Sequence, residues 1–277
     1  MTRLVKATLF VALGGCVSCA GGSGSSKAPA EPEQIREEAH VWGYMGPGSP
    51  SHWASIDPAF ASCAEGKFQS PIDLRPIASA DVDTLEAKYQ PDTLRIINNG
   101  HTIQVNHQGD SVLEVGDHEF KLLQYHLHSP SEHTESGSAH ALELHLVHQD
   151  EAGHFAVLAI FIDEGPSTGD DPLWNHLPEV PDEAVHTYEG EEVDPSHFLP
   201  ASLTHYQYHG SLTTPPCTET VTWNVLTTPI TMSADRIEHF RELYAANARP
   251  VQPRPTWCLA PHVIGDAPDY DSLKPET

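Results

Sequence analysis

Two stretches of this 277-residue chain alternate in a way that only an extended backbone can use. Gln124, His126 and His128 take every second place in Gln-Tyr-His-Leu-His, and Glu143, His145 and Val147 do so in Glu-Leu-His-Leu-Val. Successive strand side chains point to opposite faces, so each trio shares one face while Tyr125, Leu127, Leu144 and Leu146 line the other. The pattern predicts two strands of a sheet that is apolar on one side and polar on the other. His126 and His128 would stand roughly 6–7 Å apart along their strand. Their rings can lean toward a point about 2.0–2.1 Å from each nitrogen, and His145 completes the set if its strand lies alongside. Three neutral imidazoles leave a tetrahedral zinc ion with one open position, as catalysis requires. Gln124 and Glu143 share the histidines' faces and can accept the second ring N–H of a ligand, fixing its tautomer. With 19 histidines in the chain, one His-x-His is expected by chance, about 1.3 occurrences by simple counting. Two same-face clusters, each with a polar partner, say more than either histidine pair alone.

Further motifs follow the same order along the chain: Trp-Gly-Tyr at Trp42–Tyr44, Gln-Ser-Pro-Ile-Asp at Gln69–Asp73, Asn-Asn-Gly-His at Asn98–His101, Ser-Pro-Ser-Glu-His after His128, and Gly-Ser-Leu-Thr-Thr-Pro-Pro-Cys at Gly210–Cys217. Together with the histidine stretch they resemble the alpha-class carbonic anhydrases, and the Ser-Pro-Ser-Glu-His resembles their bacterial branch. The resemblance implies a mainly β fold, a large twisted and mostly antiparallel central sheet with short peripheral helices. It implies Zn2+ held by His126, His128 and His145 at the floor of a cone-shaped cavity. The implied activity is reversible hydration of carbon dioxide to bicarbonate and a proton through a zinc-bound hydroxide. In that scheme His101 carries protons to bulk water, for which an imidazole of ordinary pKa near 6.5 is suited. Thr213 orients the hydroxide and passes its own proton to the buried Glu132. Tyr44, Asn99, Gln104, Gln124 and Glu143 surround the metal ligands and the polar wall. Val147, Phe155, Val157, Leu212, Thr214, Val221 and Trp223 match the substrate pocket.

The same resemblance implies a Cys63–Cys217 disulfide, cis bonds at Ser70–Pro71 and Pro215–Pro216, and the homodimer common in bacterial relatives. Ser129 departs from the family's vertebrate members, which carry Trp there, and this bears on packing beside the metal. If His101 and Gln104 both face inward from one strand, their spacing of three requires a bulge or irregular twist.

Residues 1–19 read as a secretory signal, with Arg3 and Lys6 ahead of an apolar run, Ala7–Leu13, too short to span a bilayer. Leu13-Gly14-Gly15-Cys16 resembles a bacterial lipobox, which makes Cys16 a candidate for lipidation and membrane anchoring. Cys19 fits less well, and an ordinary cleaved signal is the alternative. Residues 20–38 read as a flexible linker, 39–262 as the catalytic domain and 263–277 as a loose tail. A net charge of −25 argues against nucleic-acid binding and suits an exported protein, periplasmic or at the cell surface. Outside the signal, Cys63, Cys217 and Cys258 allow three pairings from sequence alone.

Strands are expected at 94–97, 101–107 with a turn at Asn98-Asn99-Gly100, 155–162 and 220–225, and a helix over 234–246. The acidic, proline-containing stretch 165–192 reads as loop with one short helix near 170–174, and by the family resemblance Asn247, Arg249 and Gln252 match a structural motif. Two other functions compete: a zinc-dependent esterase-like hydrolase, and a non-catalytic binding module of the same fold. Such modules typically lose a zinc histidine, whereas His126, His128, His145, Glu132 and Thr213 are all present.

Overall fold

A computed structural model describes residues 41–75, 82–167, 172–182 and 184–253. The expected signal and linker, with Cys16, and likewise Cys258 and the tail, lie outside the described residues. The strands are β1 (Asp73–Leu74), β2 (Leu85–Lys88), β3 (Asp92–Asn98), β4 (Ile103–Asn106), β5 (Val112–Val115), β6 (His118–His128), β7 (Thr134–Glu135), β8 (Leu142–Gln149), β9 (Phe155–Glu164), β10 (His186–Val193), β11 (His205–Gly210), β12 (Val221–Leu226) and β13 (Ile230–Met232). Three short helices accompany them: α1 (Trp53–Ile56), α2 (Ser62–Glu65) and α3 (Ala234–Leu243).

Among the described residues, eleven strands form one sheet with the order β10–β3–β4–β6–β8–β9–β12–β11, β13 beside β9, and β2 joined through β5 to β6. Its pairings are antiparallel except where β9 meets β12 and β13. The fold is therefore mainly β and mostly antiparallel, as expected.

Register carries the alternation of β6 and β8 across the whole sheet. His126 lies opposite Gln104 of β4 on one side and His145 of β8 on the other. His145 faces Ala159 of β9, which faces Val225 of β12. The neighbouring rung runs Asn106, Gln124, Val147, Val157, Trp223. Directly paired residues point to the same side of a sheet, so these two rungs form one continuous face. The opposite face buries Leu94, Ile96, Val105, Tyr125, Leu127, Leu144, Leu146, Leu158 and Ile160, with Ile237 and Phe240 of α3 in the same core. Each such side chain contributes about 1.5–3 kcal/mol on full burial. β9 is apolar and buried on both faces, which accounts for its unbroken hydrophobic run.

Three expectations need correction. His101 is not on a strand; it sits in the bend between β3 and β4. Asn98 Oδ1 accepts the Gly100 N–H, and Asn99 Oδ1 accepts the N–H groups of His101 and Thr102. This turn uses Gly100 at φ 83°, a conformation that glycine adopts without strain. Gln104 alone then obeys strand alternation, and no bulge in β4 is needed; the register shift falls in β6 between Leu122 and Gln124. Residues 186–192, expected as loop, lie in the edge strand β10, which is mostly exposed, only Tyr188 half-buried and Val193 buried, so it carries no apolar alternation. Its acidic side chains also discourage pairing with another chain. Finally, α3 ends at Leu243, short of 246, where the Tyr244 hydroxyl is held by Asn98 Oδ1 and the backbone leaves helical geometry. The short helix near 170–174 is a 3-10 turn at Pro172–Asn175.

Cys63 of α2 and Cys217, in the loop after β11, form the expected disulfide, with a sequence separation of 154. The bonds Ser70–Pro71 and Pro215–Pro216 are cis, and so is Ser129–Pro130. A disulfide persists in oxidising surroundings outside the cytosol. No helix among the described residues is long and apolar enough to cross a membrane. Reducing the disulfide, or replacing both cysteines with serine, should lower the free energy of unfolding by up to about 5 kcal/mol, the chain-entropy value for a loop of this length. Urea unfolding with and without reductant measures this, and an unchanged midpoint would contradict it.

Candidate metal centre and its surroundings

The rung of β6 and β8 brings the three expected histidines together. His126 Nε2 and His128 Nε2 lie 3.1 Å apart, and one ring nitrogen from each of His126, His128 and His145 falls within 4.8 Å of the others. The remaining ring nitrogens are all engaged. His126 Nδ1 donates to Gln124 Oε1 at 2.8 Å, His128 Nδ1 to the Asn247 carbonyl at 2.7 Å, and His145 Nε2 to Glu143 Oε1 at 2.8 Å. Each tautomer is thereby fixed, leaving lone pairs on His126 Nε2, His128 Nε2 and His145 Nδ1. Two such lone pairs facing each other at 3.1 Å repel unless a cation lies between them. That spacing is close to the edge of a tetrahedron whose centre is about 2.0–2.1 Å from each nitrogen. The donor set therefore fits a zinc ion. Burial, with the neighbouring rings, pushes His126 well below the usual imidazole range, and burial lowers His128 too, so both stay neutral and able to ligate.

Glu143 organises the buried side of this cluster. Besides His145, its carboxylate accepts the His133 N–H at 2.8 Å and His133 Nδ1 at 2.6 Å. Burial alone would raise this carboxyl, but His133 and His145, which both donate to it, together hold it well below the carboxylate range. His133 Nε2 lies 2.6 Å from the Tyr208 hydroxyl, which in turn bonds Ser70 Oγ. His133, Glu143 and His145 could form a second cation set, but their contacts are direct hydrogen bonds with no gap for an ion.

Glu132 is buried, with Oε1 accepting the Arg249 N–H at 2.7 Å. Its Oε2 lies 3.5 Å from His128 Nε2 and has no hydrogen-bond partner. Thr213 is buried in the loop that the disulfide anchors. Tyr44 packs edge-on against Trp42 and Trp53, and burial, reinforced by Glu132, pushes its phenol upward. Gln104 shares the His126 face and donates to Asn106 Oδ1 at 2.6 Å. Asn99 shapes the turn rather than reaching toward the histidines. His101 is half-buried, its ring stacked on Trp42 with centroids 3.6 Å apart, and burial lowers its pKa.

The apolar expectations converge as well. Val147, Val157, Val221 and Trp223 form one buried cluster on the histidine side of the sheet, with Phe155 and Leu212 packed against it. The Trp223 ring is 4.9 Å from those of both His145 and His133, so apolar surface directly borders the polar cluster. Thr214 holds the loop's turn through its carbonyl, which accepts the Cys217 N–H.

Sequence reasoning missed three supporting residues. His133 and Tyr208 were seen only as motif neighbours. Asn247 was read as merely structural, yet it ties His128 and Ser129 to the His101 carbonyl. A backbone acceptor for a ligand histidine leaves no side-chain signature, which is why that contact was not legible.

Comparison with known proteins agrees with this geometry. Residues 48–255 match the family model described as eukaryotic-type carbonic anhydrase. A carbonic anhydrase of Nostoc sp. is 40% identical over 238 residues, covering 83% of this chain and 89% of the relative. One from Pectobacterium carotovorum is 40% identical over 214 residues, covering 76% and 87%. The solved alpha-carbonic anhydrase of Thermovibrio ammonificans, in complex with the inhibitor sulfanilamide, superposes with a TM-score of 0.74 at 38% identity, covering 77% of this chain and 96% of that one. The matched region contains every residue of the histidine cluster and its hydrogen-bonded surroundings, and the chain belongs to the alpha carbonic anhydrase family.

Proposed function

We propose that this chain hydrates carbon dioxide reversibly to bicarbonate and a proton, using zinc held by His126 Nε2, His128 Nε2 and His145 Nδ1. The observation that carries the proposal is the convergence of three ring nitrogens whose partners across each ring are already hydrogen-bonded. Zinc, when bound, supplies a Lewis acid that brings the pKa of a water molecule to about 7, carbonic anhydrase itself being the reference case. The chain's own residues then position, orient and move protons. Thr213 donates its hydroxyl proton to Glu132 Oε2, the buried oxygen that otherwise has no donor. Its lone pair is then free to accept from the attacking oxygen, which selects the ionised nucleophile and aims it. Carbon dioxide lies against Val147, Val157, Leu212 and Trp223, where no polar group competes for it. Each cycle releases one proton, and His101 passes it to bulk water. By the same reading the protein is exported, periplasmic or at the cell surface, anchored by lipid on Cys16, and active as a homodimer.

Replacing His145 with Ala should abolish both zinc retention and hydration, because two imidazoles hold the ion poorly; metal analysis of the purified variant decides this, and full activity refutes the ligand set. Thr213→Ala should keep one zinc per chain and lose about 10²-fold in rate, the scale of one oriented polar contact. Wild-type turnover in that variant excludes the orienting role. His101→Ala should lower kcat while leaving kcat/KM nearly unchanged, with added imidazole restoring much of the loss, since a diffusing base replaces the missing one. An equal fall in both parameters without rescue would falsify the shuttle assignment.

A further inference from the structure

Pairing within the sheet fixes the three histidines, but neither Glu132 nor Thr213 belongs to a strand. Glu132 lies between β6 and β7, and Thr213 in the loop between β11 and β12. Their mutual placement needs another cause. Gln69 is buried between the two segments, and its amide is fully used. Oε1 accepts Arg249 Nη1 at 2.9 Å. Nε2 donates to the Cys217 carbonyl at 3.1 Å and to Glu219 Oε1 at 2.9 Å. On the first side, the Arg249 backbone N–H holds Glu132 Oε1 at 2.7 Å, and the guanidinium also binds the carbonyls of Ser70 and Cys63. On the second side, both acceptors belong to the loop that carries Thr213.

Neighbouring contacts bind the Gln69 segment to the Thr213 loop. The Phe68 N–H donates to Glu219 Oε1 at 2.7 Å, and Ser70 and Ser211 exchange hydrogen bonds between backbone N–H and hydroxyl. Gly66 packs so closely on Gln69 Nε2 and Glu219 Oε1 that no Cβ fits there.

We infer that Gln69 is a positioning residue, which sets the Thr213 loop against Glu132 by linking Arg249 to Cys217 and Glu219. The inference rests on the proposed roles of Thr213 and Glu132. Only an amide meets the requirement at this point, an acceptor toward the arginine and two donors toward the loop. A carboxylate keeps the first contact and turns the other two repulsive.

The test uses the full chain with its disulfide intact, measuring CO2 hydration per bound zinc and the thermal midpoint. Gln69→Glu should retain one zinc per chain and lose roughly tenfold or more in kcat/KM, the scale of a small misplacement at a reacting centre. A purely structural role predicts instead a lower thermal midpoint with an unchanged rate per bound zinc, and that result overturns the inference. If Gln69→Glu does not fold, Gln69→Met keeps the shape and removes all three hydrogen bonds, and a wild-type rate per zinc in it overturns the inference. Wild-type protein without CO2 hydration removes the functional reading and the inference with it; wild-type turnover that Gln69→Glu leaves intact removes only the inference.

Discussion

Antiparallel pairing of β6 with β8 is the constraint on which the rest depends. It places His126 opposite His145 and His128 opposite Glu143. Side-chain direction has a period of two, so a slip of one residue would turn one cluster into the core and the other toward solvent. Both strands guard against this through their other face. Tyr125, Leu127, Leu144 and Leu146 are all nearly or fully buried, and a slipped register would expose them while burying imidazoles. At about 1.5–3 kcal/mol for each apolar side chain, the core holds the metal site in register more firmly than any hydrogen bond within the site.

A register sets distances only to within the reach of a side chain, and the second control is electrostatic. Glu143 sits fully buried, where an isolated carboxylate would be costly. Three N–H groups, from His133 and His145, converge on it and keep it ionised. A negative charge there orients His145 so that Nδ1 faces the other two rings. Gln124 and the Asn247 carbonyl do the same for His126 and His128 without adding charge. One anionic and two neutral acceptors thus hold a set suited to a divalent ion.

What could be read from the sequence follows the range of the interactions. Alternation over five residues is a local property, so the ligand faces of β6 and β8 and the roles of Gln124 and Glu143 were visible without a structure. The turn at Asn98–Gly100 was visible too, because Asn and Gly serve turns for local reasons. The place of His101 was misjudged, since the same Asn99 oxygen that makes the turn also keeps His101 out of the strand. β10 was missed because a mostly exposed edge strand, with only Tyr188 and Val193 turned inward, has no apolar period to detect. The Cys63–Cys217 pair could not be chosen over its alternatives from spacing; only family resemblance pointed to it.

The site therefore divides into two mechanical classes. The proposed metal ligands ride on strands and inherit the stiffness of the sheet. Glu132, Thr213 and His101 ride on segments with no ladder of their own, and each segment is tied by a primary amide: Gln69 at the Thr213 loop, Asn247 at Ser129 and His101, and Asn99 within the His101 turn. An amide offers donor and acceptor together and is neutral, so it can join two buried backbones without the desolvation cost of an ion. His101 has its backbone fixed by Asn99 and Asn247, while its ring rests on Trp42 by stacking alone among the contacts described. For the proposed shuttle role this arrangement supplies a fixed anchor, and stacking on an indole constrains the ring's direction less than a hydrogen bond to it would.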